Sequence, residues 1–212
     1  MQKNIIISTP SHKLTLNCHF DFVERDKFEI NKELFFNLCK SGCVNFDQNY
    51  SCPPFSPHFN SYVGKEKHFF VLLLKINLNQ FKDYTYMDHH KLRIGNAVIK
   101  PRIEKIMRAL ELSFGPKLAG KFLGTGACRL CKPCQRKVNK KCRYPDKLRF
   151  SLESLGVDCN KLCLKLFKFP LLWYKEKKAP LYTSVIAAIP LNNINNKSEI
   201  IKLTKKELNK VL

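Results

Sequence analysis

No apolar run in this 212-residue chain is long enough to cross a bilayer. The longest, FFVLLLKI at residues 69–76, falls far short of the roughly 20 residues a spanning helix needs. The start, MQKNIIISTP, has neither an extended apolar region nor the small-residue cleavage site of a secretion signal. These absences predict a soluble, cytoplasmic protein with no membrane partner. Also missing are the Gly-x-Ser-x-Gly elbow of hydrolases, the P-loop and a Gly-x-Gly-x-x-Gly turn after a strand. FLGTGAC carries Gly124 and Gly126, but no third glycine stands in register for a dinucleotide. No repeat of 20 to 50 residues is present, which excludes solenoids and propellers. Acidic residues are scarce: 17 against 38 basic ones, a net charge of +21. Such a chain attracts anions, nucleic acid and an anionic substrate among them. Its lysines are scattered among many Asn and Ile residues, so part of this excess is compositional bias.

What is present begins with an ordinary globular composition, 44% hydrophobic, in a length that suits a single domain spanning 1–212. Residues 4–8 and 13–20 read as short strands, the second alternating with period two. INKELFFNLCKSGC reads as a helix: Asn31 is its N-cap, Leu34, Phe35 and Leu38 share an apolar face, and Gly42 closes it. Three prolines in CPPFSP enforce an irregular loop. KHFFVLLLKINL and residues 181–191 read as buried strands. PRIEKIMRALELSFG predicts a helix with Pro101 in its first turn and Ile103, Ile106, Met107 and Leu110 in one stripe. Ser151 caps a short helix ending at Gly156. Thr204 and Glu207 form a capping box for a C-terminal helix within 198–212. The fold class is α+β, with a small mixed or antiparallel sheet, helices and two cysteine-rich loops.

The ten cysteines carry the chemistry. In a chain with no export signal they are better suited to metal ligation than to disulfides. GACRLCKPCQRKVNKKCRYP places Cys128, Cys131, Cys134 and Cys142 within fifteen residues, among seven Lys and Arg side chains and no acid. Zinc ligands usually come as two separated pairs. Three thiols each three residues apart wrap a larger object, and bacterial ferredoxins bind iron–sulfur clusters this way. The surrounding cations favour thiolate and would also attract an anionic substrate or partner. A second set, Cys39, Cys43 and Cys52, precedes Pro53-Pro54. Three thiols hold three corners of a cluster and leave one iron open, as catalytic metal sites do. Alternatively Cys18, Cys159, Cys163 or His58 completes that shell, or both sets serve one site. Cys18, Cys159 and Cys163 otherwise read as buried small hydrophobes. His89-His90 reads as surface.

CKSGCVNFDQNYSCPPFSP, followed downstream by GTGACRLCKPCQRKVNKKCRYPDKLRFSLESLGVD, resembles the predicted metal-binding proteins of domain of unknown function 2284. The resemblance spans about residues 30–190. It rests on the Cys-Pro-Pro block, Gly-x-Cys-Arg-x-Cys-x-x-Cys, the Cys-Arg-x-Pro step and Ser-x-Glu-x-x-Gly-x-Asp. It implies metal binding through Cys39, Cys43, Cys52, Cys128, Cys131, Cys134 and Cys142, and it supplies no reaction. Phe150 stands where the pattern leads one to expect Pro, and Cys159 and Cys163 are extra.

Three functions follow. One is an iron–sulfur protein with a [4Fe-4S] cluster on the quartet and a second on the triad. It would act in electron transfer with a redox partner protein, or in sulfur chemistry. Another is a zinc-stabilised module binding RNA or DNA through the basic loop. The third is a metal sensor or carrier.

Overall fold

The computed structural model describes residues 1–118, 120–195 and 197–210. Four strands, β1 (Gln2–Ser8), β2 (Lys13–Glu24), β3 (His68–Asn77) and β4 (Tyr182–Leu191), form one antiparallel sheet in the order β1-β2-β3-β4. Five helices join it: α1 (Lys32–Gly42), α2 (Phe59–Val63), α3 (Asp88–Leu118), α4 (Cys159–Phe167) and α5 (Lys197–Lys210). This is the α+β class expected from the sequence. No helix among the described residues is long and apolar enough to cross a membrane.

The central strand explains the sheet. Phe69 through Leu74 are all fully buried, because β3 is covered on both faces. Phe70, Leu72 and Leu74 pack with Ile99, Ile103, Ile106 and Met107 of α3 and with Ile200 and Leu208 of α5. Phe69, Val71 and Leu73 face the other way, onto Phe28, Phe59, Leu152, Val157 and Leu162. A strand with two dry faces has no polar positions to alternate with, which is why its sequence is one apolar run. Each such side chain contributes about 1.5–3 kcal/mol of burial free energy.

Three helical expectations change. α3 starts at Asp88, a full three turns before Pro101, because its buried face continues back through Ile99 and Val98. Pro101 therefore sits mid-helix and denies residue 97 its helical donor. Helical geometry breaks at Gly115, as the sequence indicates. Gly95 lets α3 approach β4, since a Cβ there would lie 2.7 Å from Thr183 Cγ2. α1 is capped by Asn31, whose side chain accepts from the Leu34 amide at 3.0 Å. Its apolar face is not core, however: Leu34 and Leu38 are 46% and 55% exposed. α5 begins by Lys197, so Thr204 is no cap. It is buried in the helix interior and donates to the Ile200 carbonyl. His89 and His90 are half-buried in the first turn of α3.

The outer edge of β4 does not end the ladder. Leu123 and Ala188 exchange backbone hydrogen bonds of 2.7 and 2.9 Å. Gly124 then donates to Phe150 O and accepts from Leu152 N–H. This stitched segment delivers the chain from the sheet edge directly into the cysteine-rich loop.

Candidate metal centre

The upstream thiols are placed by the end of a helix and a tight loop. Cys39 lies in the last turn of α1, and Cys43 is the C-cap, its amide donating to Cys39 O at 3.0 Å. The chain then turns and returns Cys52, whose carbonyl accepts from the Phe55 and Ser56 amides. Lys32 anchors the arrangement from the first turn of α1. Its ammonium donates to Ser56 Oγ at 2.9 Å and to the carbonyls of Ser56, Pro57 and Ser154. These neutral acceptors tie the Cys-Pro-Pro loop to the turn at 151–156, with burial lowering the lysine's pKa.

The two cysteine-rich loops are packed against one another. Ser51, fully buried, accepts from the Cys128 amide at 2.7 Å and donates to Asn49 Oδ1 at 2.9 Å. Asn49 in turn donates to the Cys128 carbonyl at 3.1 Å. Tyr50 donates to the Lys140 carbonyl at 2.8 Å. Arg136 pairs with Asp47 at 2.9 Å, bonds Asn139 and lies over the Phe55 ring. Of the seven cations in the loop, this one is a bridge between loops and not a solvated charge.

All ten cysteines are free thiols. Burial pushes the Cys52 thiol up to about 11, opposed by its contact with Ser51. The neighbouring thiols Cys43, Cys39 and Cys134 add to the upward shift of Cys52. Burial first, then the neighbouring thiol Cys43, raises Cys39. Cys128 is raised by burial, with Cys131 close enough to add to it. Cys131, Cys134 and Cys142 are half-buried and Cys43 is exposed. Among the described residues, no three His, Cys, Asp or Glu side chains are grouped closely enough to hold a metal ion as they stand.

The remaining thiols separate by environment. Cys18 and Cys163 are fully buried in the sheet's two cores, and burial pushes both to about 12. They are the small hydrophobes the sequence suggests. His58 caps α2, its Nδ1 accepting from the Asn60 amide. Cys159 differs: it is buried, yet it borders the same cavity as Cys39, Cys43 and Cys52. Its thiol shares a hydrogen bond with Glu153, which also bonds Ser151. Burial raises the pKa of both groups.

That cavity encloses about 530 Å³ between α1, α3, the start of β4 and residues 171–174. Lys100 and Trp173 line it and went unnoticed in the sequence, having no motif around them. Glu153 belongs to Ser-x-Glu-x-x-Gly-x-Asp, every fixed position of which now has a job. Ser151 Oγ accepts from the Ser154 amide. Gly156 has φ +96 and would press a Cβ to 2.7 Å from Lys32 Cα. Asp158 caps α4 by accepting from the Lys161 amide.

Two thiol-bearing loops pinned together beside a cavity define a cysteine-rich protein whose free thiols are soft-metal donors. A family model described as predicted metal-binding protein (DUF2284) matches residues 22–187, and the chain belongs to that family. No curated protein and no solved structure matches it.

Proposed function

We propose that the chain is an iron–sulfur protein. Cys128, Cys131, Cys134 and Cys142 would hold a [4Fe-4S] cluster, and Cys39, Cys43 and Cys52 a second one with an open iron. The observation that carries this is the pinning of the loop that bears Cys52 to the loop that bears Cys128, through Ser51 and Asn49. The donor set fits: it is all thiol, with no disulfide, and soft sulfur ligands select zinc, copper(I) or iron–sulfur clusters over magnesium or calcium. Spacing favours the cluster. A single tetrahedral zinc, with Zn–S of about 2.3 Å, needs its thiolates within roughly 4 Å of one another. The quartet instead sets three thiols each three residues apart, the spacing by which ferredoxins wrap a cluster.

When bound, such clusters supply one-electron transfer or, at an iron without a fourth thiolate, a Lewis-acid position. The chain's own contribution is placement. Ser51 and Asn49 fix the backbone on both sides of Cys128. Lys32 holds the Cys52 loop to the turn carrying Glu153. The exposed cations of 129–143 would receive an acidic redox partner or an anionic substrate.

The test is anaerobic purification with iron, zinc and acid-labile sulfide analysis and an absorption spectrum. Brown protein with several equivalents of iron and sulfide is expected. Cys131→Ser and Cys43→Ser should each remove about half the iron. Colourless protein with stoichiometric zinc overturns the reading. Nucleic-acid affinity falling steeply with salt would then point to a zinc-stabilised binding module.

A further inference from the structure

The cavity beside Cys39, Cys43 and Cys52 has the make-up of a small-molecule site. Its volume of about 530 Å³ falls in the range that such sites occupy. Apolar side chains form most of its wall: Phe35 and Leu38 from α1, Phe46 from the loop, and Leu172 and Trp173 opposite. The exposure of Leu38 and Trp173, 55% and 58%, is thereby accounted for as the lining of a concave surface. The wall carries one cation among the described residues. Lys100 is half-buried and makes no hydrogen bond or ion pair among the described residues. Its electrostatic neighbours are Arg129, another cation, and Glu153. The Glu153 carboxyl is already engaged by Ser151 and Cys159. No close ion pair joins Glu153 to Lys100 among the described residues, so the ammonium stands on the wall of an apolar pocket without a hydrogen-bond partner there. Ser184, also on the wall, keeps a buried hydroxyl with no hydrogen-bond partner among the described residues.

We propose that this cavity binds a small organic acid with an apolar body, its carboxylate on Lys100 and its body against Phe35, Leu38, Leu172 and Trp173. A half-buried ammonium that makes no hydrogen bond or close ion pair among the described residues is stabilised by an incoming carboxylate through a charge-assisted hydrogen bond. The apolar wall contributes by area and does not discriminate among bodies of similar size. The proposal names a substrate class for the upstream thiols, and to that extent it rests on the reading above.

Trp173 is the only tryptophan in the chain, so its fluorescence reports on the cavity directly. Anaerobically purified full-length protein is titrated with octanoate, 1-octanol and octylammonium at constant ionic strength. A saturable change in Trp173 emission is expected, with octanoate binding more tightly than octanol and octanol more tightly than octylammonium. Lys100→Met should weaken octanoate about tenfold or more and leave octanol unchanged, while Lys100→Arg retains octanoate. Unchanged octanol binding and thermal unfolding in Lys100→Met certify that its fold is intact. Absence of a saturable signal with octanoate, or equal affinity for octanoate and octylammonium, overturns the proposal. Iron and sulfide are measured on the same samples. Octanoate failing to bind iron-loaded protein defeats the substrate class alone. Octanoate binding to iron-free protein that cannot be loaded defeats the cluster reading alone.

Discussion

The backbone amide of Cys128 donates to Ser51 Oγ at 2.7 Å, joining positions 77 residues apart. The bond is half-buried, and with Asn49 it makes a three-residue pin on which both cysteine-rich loops hang. Ser51→Ala removes the acceptor of a half-buried amide, which costs about 1 kcal/mol. Urea unfolding should register that loss, and metal analysis should show a fall in cofactor content without any thiol having been removed. Unchanged metal content would mean the loops hold their positions without the pin.

Gly156 lies at φ +96 with Lys32 backbone atoms 2.7 and 2.9 Å from where a Cβ would be. Nothing flexible can move aside, since those atoms are main chain at the start of α1. Gly156→Ala combines an unfavourable backbone region with a clash, at about 2–4 kcal/mol. The expected readout is a lowered thermal midpoint together with loss of the hydrogen bond that the Asn31 amide donates to the Gly156 carbonyl, seen as faster hydrogen exchange at Asn31.

His19 sets an acid limit on stability. It is 8% exposed, packed against Phe167 and Phe169, and its Nε2 has no hydrogen-bond partner among the described residues. Burial, then the charges of Lys75 and the N-terminus, lowers its pKa from 6.5 to about 4. The unfolded chain takes up a proton below about pH 6.5, whereas the folded chain refuses it until about pH 4. Stability is therefore full above pH 6.5 and declines as pH falls to 4, by about 3 kcal/mol at most. In His19→Leu, urea midpoints measured between pH 7 and pH 4 should fall less steeply than in the parent.

Cys18 and Cys163 are fully buried, with thiols raised to about 12. Cys18→Ala and Cys163→Ala should each cost about 1–2 kcal/mol by unfolding, from lost packing. Iron content should stay at the parental level in both. A drop in either variant would make that thiol a ligand.

The sheet was legible because a strand buried on both faces has no choice of residue, and FFVLLLKI leaves only β3 as a reading. α3 was legible only in its second half. DHHKLRIGNAVIK mixes polar and apolar positions, and Pro101 has the look of a first turn when it is in fact internal. The apolar stripe of α1 is real, yet periodicity cannot tell a face turned to the core from one turned to a cavity, as Phe35 and Leu38 show. The thiols announced themselves by spacing. Lys100 and Trp173 could not, because the polar end of the cavity exists only where α3, the turn at Glu153 and residues 171–174 meet. Arg136 is the converse case: one cation among seven in the sequence, but tied to Asp47 in the fold.

The grip of Lys32 on Ser154 spans 122 residues, and it has a consequence for biosynthesis. At about 5–20 residues per second, roughly 5–20 seconds separate the emergence of Cys52 from that of Ser154. During that interval the triad has no scaffold, and its thiols ride on an unfinished nascent chain. Until Ser154 has emerged, the Lys32 ammonium lacks one of its four acceptors and the Cys52 loop lacks its tie to the turn at 151–156.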